Sequence, residues 1–222
     1  MKKITKYIPT IILTLLCSCS DYLDIVPDNV TTLDIVFNNR NTAERYLANC
    51  YHFVPDHGSV KRIPGMGAGH ECWFYTTNDS HFDNEVSFYI ARGLQNIDAP
   101  YANYWDGEGG SNLPMFRAIR ECNIFLDYVR DQHKVNDLTD SERKRWIAEV
   151  NVLKAYYHFF LFEHYGPIPI VDKALPVSTD PEGVKVTRMP VDQIVDYMVK
   201  LIDDSYKDLP PVITMEATEM GR

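Results

Sequence analysis

Residues able to do chemistry crowd one part of the chain. His70-Glu-Cys-Trp-Phe-Tyr-Thr-Thr-Asn-Asp79, the acids Asp83 and Glu85, and Tyr101-Ala-Asn-Tyr-Trp-Asp106 all fall between Pro55 and Asn112. His70-Glu71 begins as the zinc motif H-E-x-x-H does, but position 74 is Phe, so the second ligand is missing. Asp79, Asp83 and Glu85 could supply a glycosidase carboxylate pair, yet acids this dense are common in solvated loops, and we read them so. The run Asp106-Gly-Glu-Gly-Gly-Ser-Asn112 offers oxygen ligands of the kind calcium takes, but it departs from D-x-[DN]-x-[DN]-G and reads as a turn. Gly65-Met-Gly-Ala-Gly69 lacks the last glycine spacing of a dinucleotide loop and follows no strand. His158 and His164 are six apart on a helical pattern and face different directions, which argues against a shared metal. No catalytic residue, metal site or cofactor is therefore assigned. What remains is a mixture of aromatic rings, amides and carboxylates, suited to a wet core or to a stacking surface for a polar ligand.

A second kind of chemistry sits at the N-terminus. Lys2, Lys3 and Lys6 precede the apolar run Tyr7 to Leu16, the arrangement of an export signal. The run is too short for a membrane-spanning helix, which needs about 20 residues. Leu16-Cys17-Ser18-Cys19 then places Leu at −3 and a small residue at −1 before a cysteine, as at a bacterial lipoprotein cleavage site. Residues 1–18 are expected to be the signal peptide and Cys19 the lipidated first residue; the alternative is ordinary secretory cleavage near Ser18 or Ser20. Cys50, Cys72 and Cys122 remain, an odd number with no C-x-x-C spacing, so neither a disulfide framework nor a zinc knuckle is supported. Cys50 and Cys122 lie on apolar helical stripes and read as small buried hydrophobes.

Charge excludes one further class. Lys and Arg total 22 against 31 Asp and Glu, a formal charge of −9, and no basic block occurs beyond the first six residues. Nucleic acid is not an expected partner.

The elements that must position these residues read as helices. Residues 19–32 form a polar, extended tether barred from helix by Pro27, and 33–222 form the folded domain. The first helix is expected over about Thr42 to Val54, with Asn41 as N-cap, Glu44 completing a capping-box-like pattern and Pro55 ending it. From Pro55 to about Asn112 periodicity fails, leaving a long irregular insertion of the kind that carries function. Phe116, Ile119, Asn123, Leu126 and Val129 share a second helical face. A third helix is expected from Asp140 to Tyr165, opened by Thr139 with Glu142, stopped by Gly166-Pro167, and striped by Trp146, Ile147, Val150, Leu153, Tyr157, Phe160, Leu161 and His164. A fourth begins with Pro190 in its first turn and buries Val191, Ile194, Val195, Met198, Leu201 and Ile202. Four amphipathic helices without a period-2 run predict an all-α fold. Ala155, Tyr156, Tyr157 and Phe159 are similar to tetratricopeptide helix positions, but no 34-residue period occurs, so helical pairs are expected and not a regular repeat.

Five ordered blocks carry a resemblance: Cys-Ser-Asp-Tyr-Leu-Asp-x-x-Pro at 19–27, Arg120-Glu-Cys-Asn-Ile-Phe-Leu126, Glu149-Val-Asn-Val-Leu-Lys-Ala-Tyr-Tyr-His-Phe-Phe-Leu161, Tyr165-Gly-Pro-Ile-Pro-Ile-Val171 and Leu209-Pro-Pro. Together they closely resemble the SusD/RagB family of nutrient-uptake lipoproteins of the Bacteroidetes outer membrane. Glu149-Val-Asn departs locally from the Gly-Glu-Ala common there. The resemblance implies a SusD-like fold and a non-catalytic oligosaccharide binder without cofactor. It implies a protein lipid-anchored and surface-exposed at the cell outer membrane, sitting as a lid over a SusC-like TonB-dependent transporter. Family members run well beyond twice this length, so the chain is expected to be an N-terminal portion lacking the C-terminal half. Sugars are recognised by aromatic faces and by planar amides and carboxylates. Trp73, Tyr75, Asn78 and Trp105 are the candidate contacts, each with a plain packing role as its alternative. A surface glycoside hydrolase and a non-functional truncated fragment are the competing readings.

Overall fold

The computed structural model describes residues 32–58, 64–69, 86–107, 113–175, 182 and 185–211. The chain divides into two compact units, Met1–Ile35 and Val36–Arg222. Of the first, residues 32–35 are described; they open the helical turn Leu33–Val36. Cys19, the tether up to residue 31, Trp73, Tyr75 and Asn78 lie outside the described residues. The second unit carries α1 (Arg40–Tyr51), α2 (Pro64–Gly67), α3 (Val86–Ala91), α4 (Met115–Arg130), α5 (Asp140–Tyr165), α6 (Val191–Asp203) and a 3-10 turn, Tyr206–Asp208. Among the described residues there is no strand, so the fold is all-α, with α4 and α6 each packed on α5 and α1 packed on both α4 and α5.

α5 has the expected bounds because both of its ends are written locally. The Thr139 hydroxyl accepts the Glu142 N–H at 3.3 Å and the Glu142 carboxylate accepts the Thr139 N–H at 3.2 Å, a complete capping box. At the other end Gly166 adopts φ 66°, and its N–H bonds to the Phe162 carbonyl at 2.9 Å. Trp146, Val150, Tyr157, Phe160 and Leu161 are buried as their spacing predicts, whereas Ile147 is half-buried and His164 reaches the surface. Arg143, Asn151, Lys154 and His158 are buried too, because α5 is covered on more than one side.

Buried Arg143 holds the α4–α5 connection. Its guanidinium donates to the carbonyls of Val129 (2.6 Å), Asp131 (3.3 Å), Lys134 (3.1 Å) and Val135 (2.9 Å). A cation thus meets the negative end of the α4 dipole. It also secures Val135, a β-branched residue at φ 50°, whose N–H bonds to the Phe37 carbonyl at 3.1 Å.

Three expectations need correction. α1 is capped by Asn39, not Asn41: Asn39 has extended backbone and its side chain accepts the Thr42 N–H at 3.1 Å, so the helix starts two residues earlier. It ends at Tyr51, and Val54 lies beyond it, largely exposed. The irregular segment contains α2 and α3, helices of 4 and 6 residues, too short to show a period. Pro190 is the N-cap of α6, with ψ 150°, and not a first-turn residue; of the expected buried face only Ile194 and Met198 are buried. Val191, Val195 and Ile202 are exposed and Leu201 is half-buried. No helix among the described residues is long and apolar enough to cross a membrane.

Candidate functional site

Trp105 lies on a turn fixed from several sides. The Asn103 side chain accepts the Trp105 N–H at 3.1 Å and donates to Asp106 at 2.6 Å, while the Tyr104 N–H donates to the Tyr165 hydroxyl at 2.8 Å. Gly107 closes the turn at φ 88°, where an added Cβ would stand 2.9 Å from Pro114. At the start of α4 the Met115 N–H bonds to the Tyr104 carbonyl at 2.9 Å, which ties the turn to that helix.

The half-buried Trp105 ring packs edge-on against Phe116 at 4.6 Å and against Tyr165 at 5.5 Å between centroids. The Arg188 guanidinium stands over it at 5.2 Å, held by the carbonyls of Pro167 (3.0 Å) and Tyr165 (3.4 Å). Packing and ligand contact are therefore both open to this ring.

Opposite lies the chain that leaves α5 after Gly166. Asn123 of α4 donates to the Val171 carbonyl at 3.0 Å and Arg120 donates to the Leu175 carbonyl, which fixes this segment along α4. The space between is a pocket of about 230 Å³. Among the described residues its lining is the aromatic Trp105 and Phe116, the apolar Pro169, Val171, Leu175 and Val186, and the charged Arg120 and Lys173. From sequence Trp105 is a candidate contact, Arg120 falls in a family block and Phe116 on a helical face, while no motif singles out Lys173 or Arg188. The signal for them was the reversal at Gly166-Pro167, which folds the following residues back onto α4.

Between the lining residues Val171 and Lys173, Asp172 accepts from Lys154 at 2.8 Å and from the Tyr197 hydroxyl at 2.9 Å through its carboxylate. Burial pushes the Lys154 ammonium below its ordinary range, and Asp172 opposes that shift. Burial pushes the Asp172 carboxyl up, but Lys154 and Tyr197 outweigh it and hold the group low. Burial and the Asp172 charge together push Tyr197 upward. This cluster ties the 168–175 segment to α5 and α6; it supports the pocket and does not line it. His158 and His164 each bond through Nδ1 to a carbonyl four residues back, Lys154 and Phe160, both at 2.7 Å. Among the described residues no group of three or more His, Cys, Asp or Glu could hold a metal ion.

Comparison with known proteins places this architecture. The model of a SusD-like family, described as starch-binding and associating with the outer membrane, matches residues 21–218. The chain belongs to that SusD-like family. No curated protein matches it. Among solved structures, a laminarin-binding SusD-like protein aligns with TM-score 0.62 at 17% identity, over 80% of this chain and 36% of that one. A SusD-like protein from Bacteroides fragilis aligns with TM-score 0.59 at 17% identity, over 89% and 33%. A SusD-like carbohydrate-binding protein from Bacteroides vulgatus aligns with TM-score 0.53 at 15% identity, over 82% and 38%. At these identities the likeness is one of fold, with its tetratricopeptide-like helical pairs. The SusD-like chain spans about a third of the length of these structures. The family's description names starch binding and association with the outer membrane.

Proposed function

We propose that the chain belongs to a lipid-anchored protein of the cell outer membrane that binds oligosaccharides at the surface, leaves them intact, and passes them to a SusC-like TonB-dependent transporter. The observation that carries this reading is the family match over residues 21–218. The Leu16-x-Ser18-Cys19 spacing supports Cys19 as the lipid attachment point, where more than one acyl chain would be needed for stable anchoring. Trp105, at a pocket with one aromatic wall, is the sugar contact with structural support; Trp73, Tyr75 and Asn78 remain proposed contacts on their residue types alone.

The test is calorimetry with maltooligosaccharides and laminarin oligosaccharides, with chromatography of the sugars after incubation. Binding with intact sugars is the expected result. Trp105→Ala should weaken affinity by about 1–3 kcal/mol, by analogy with other stacking platforms, with its helical circular dichroism retained. Shortened sugars would favour the hydrolase reading, and absence of binding to any sugar would refute the proposal.

A further inference from the structure

We infer that the pocket beside Trp105 receives a sugar residue bearing an acidic group, a carboxylate or a sulfate; this rests on the glycan-binding reading above and names the substrate class for that site. The charge of the lining runs against the charge of the chain. The sequence carries 31 acids against 22 bases, yet among the described residues the charged ones that line the pocket are Arg120 and Lys173, with no acid. A third cation, Arg188, stands 5.2 Å over the Trp105 ring that forms the wall.

Among the described residues no ion pair neutralises these cations. Arg120 is half-buried and donates to the Leu175 carbonyl, which satisfies a donor without balancing its charge. Arg188 donates to the Tyr165 and Pro167 carbonyls in the same way. Among the described residues none of Arg120, Lys173 and Arg188 has a carboxylate within ion-pair distance, although five other basic residues of α1, α4, α5 and α6 do. A partly desolvated guanidinium without a counter-charge is unfavourable, and an anionic group on the ligand relieves that cost. Hydrogen bonds from Arg and Lys to an anion are roughly twice as strong as neutral ones.

The remaining walls fix what carries the anion. Phe116, Pro169, Val171, Leu175 and Val186 are apolar, matching the C–H face of a pyranose, and small inorganic anions would leave them wet. About 230 Å³ is below the 300–1,000 Å³ of whole small-molecule sites, which suits one ring of a longer chain. The net negative charge of the molecule repels acidic glycans at a distance. A local cationic pocket is then what makes their capture workable.

The experiment is calorimetry on the full chain with oligogalacturonide, hyaluronan and chondroitin sulfate fragments, each against its carboxyl-reduced or desulfated counterpart, at low and moderate NaCl. At least one acidic fragment should bind tenfold or more tighter than its neutral counterpart, and the preference should shrink as salt rises. Lys173 is exposed, so Lys173→Gln should keep the fold and lose most of the preference. Neutral fragments binding as tightly as the acidic ones would overturn this inference while leaving the glycan-binding reading intact. A preference that survives both Lys173→Gln and Arg188→Gln would overturn its assignment to this pocket. Failure of these and of the neutral maltooligosaccharides and laminarin oligosaccharides to bind would overturn both readings.

Discussion

His158 shows how one buried residue ties stability to pH. Its ring is fully buried on α5, Nδ1 donates to the Lys154 carbonyl at 2.7 Å, and Nε2 meets no partner. Tyr197 packs against the ring at 5.2 Å, and Lys154 and Asp172 are the charged groups around it. Burial pushes its pKa down from 6.5 to about 4. The folded state therefore binds fewer protons than the unfolded state between those values. Stability is complete above about pH 6.5 and falls as pH drops toward 4, by about 3 kcal/mol in all at 1.36 kcal/mol per pH unit. Glu142 and Asp172, both held low, lose their contribution further into acid. Melting temperatures across pH 7 to 4 should fall in the upper part of this range for the native chain and much less for His158→Leu. An identical slope in the two proteins would assign the effect to another group.

At the scale of elements, two glycines with positive φ make a paired prediction. Gly166 ends α5 at φ 66° and ψ −131°, and an added Cβ would meet nothing within 4 Å, so Gly166→Ala carries only a backbone cost of about 1–3 kcal/mol. Gly107, at φ 88°, adds to that cost a Cβ placed 2.9 Å from Pro114, and the proline cannot yield without moving the start of α4. Urea unfolding should rank Gly107→Ala as the more damaging of the two; the reverse order would mean that the Trp105 turn is loosely held. The same local chemistry explains what could be read in advance. α5 was legible because Thr139, Glu142, Gly166 and Pro167 write both of its ends. Asn41 is the cap the sequence pattern suggests, and what makes Asn39 the cap instead is its extended backbone, with its side chain accepting the Thr42 N–H. The burial of Arg143, Lys154 and His158 was illegible because it depends on which neighbours cover α5. Trp105 declared itself by type, whereas Lys173 and Arg188 belong to an irregular segment placed by contacts distant in sequence.

For the molecule as a whole, the outer side of α6 is the feature that sets behaviour in solution. Val191, Val195, Val199 and Ile202 follow at intervals of four, four and three residues, one stripe of a helix, and they are 39–49% exposed, with Tyr206 beyond them at 56%. The spacing predicts a single broad buried face that includes Val191, Val195 and Ile202, but α5 packs on α6 and only Ile194 and Met198 are buried. Complete burial of a Val or Ile is worth about 1.5–3 kcal/mol, so four such side chains left half in water forgo a sizeable part of a total stability of about 5–15 kcal/mol. Contiguous apolar patches of this kind are uncommon on soluble monomers. The purified chain should therefore bind an apolar fluorescent dye while folded and associate as concentration rises. Val195→Lys with Val199→Lys should abolish the dye signal and keep the chain monomeric in sedimentation, with helical circular dichroism unchanged because neither side chain belongs to the core. Dye binding that persisted in this double variant would place the exposed apolar surface elsewhere on the molecule.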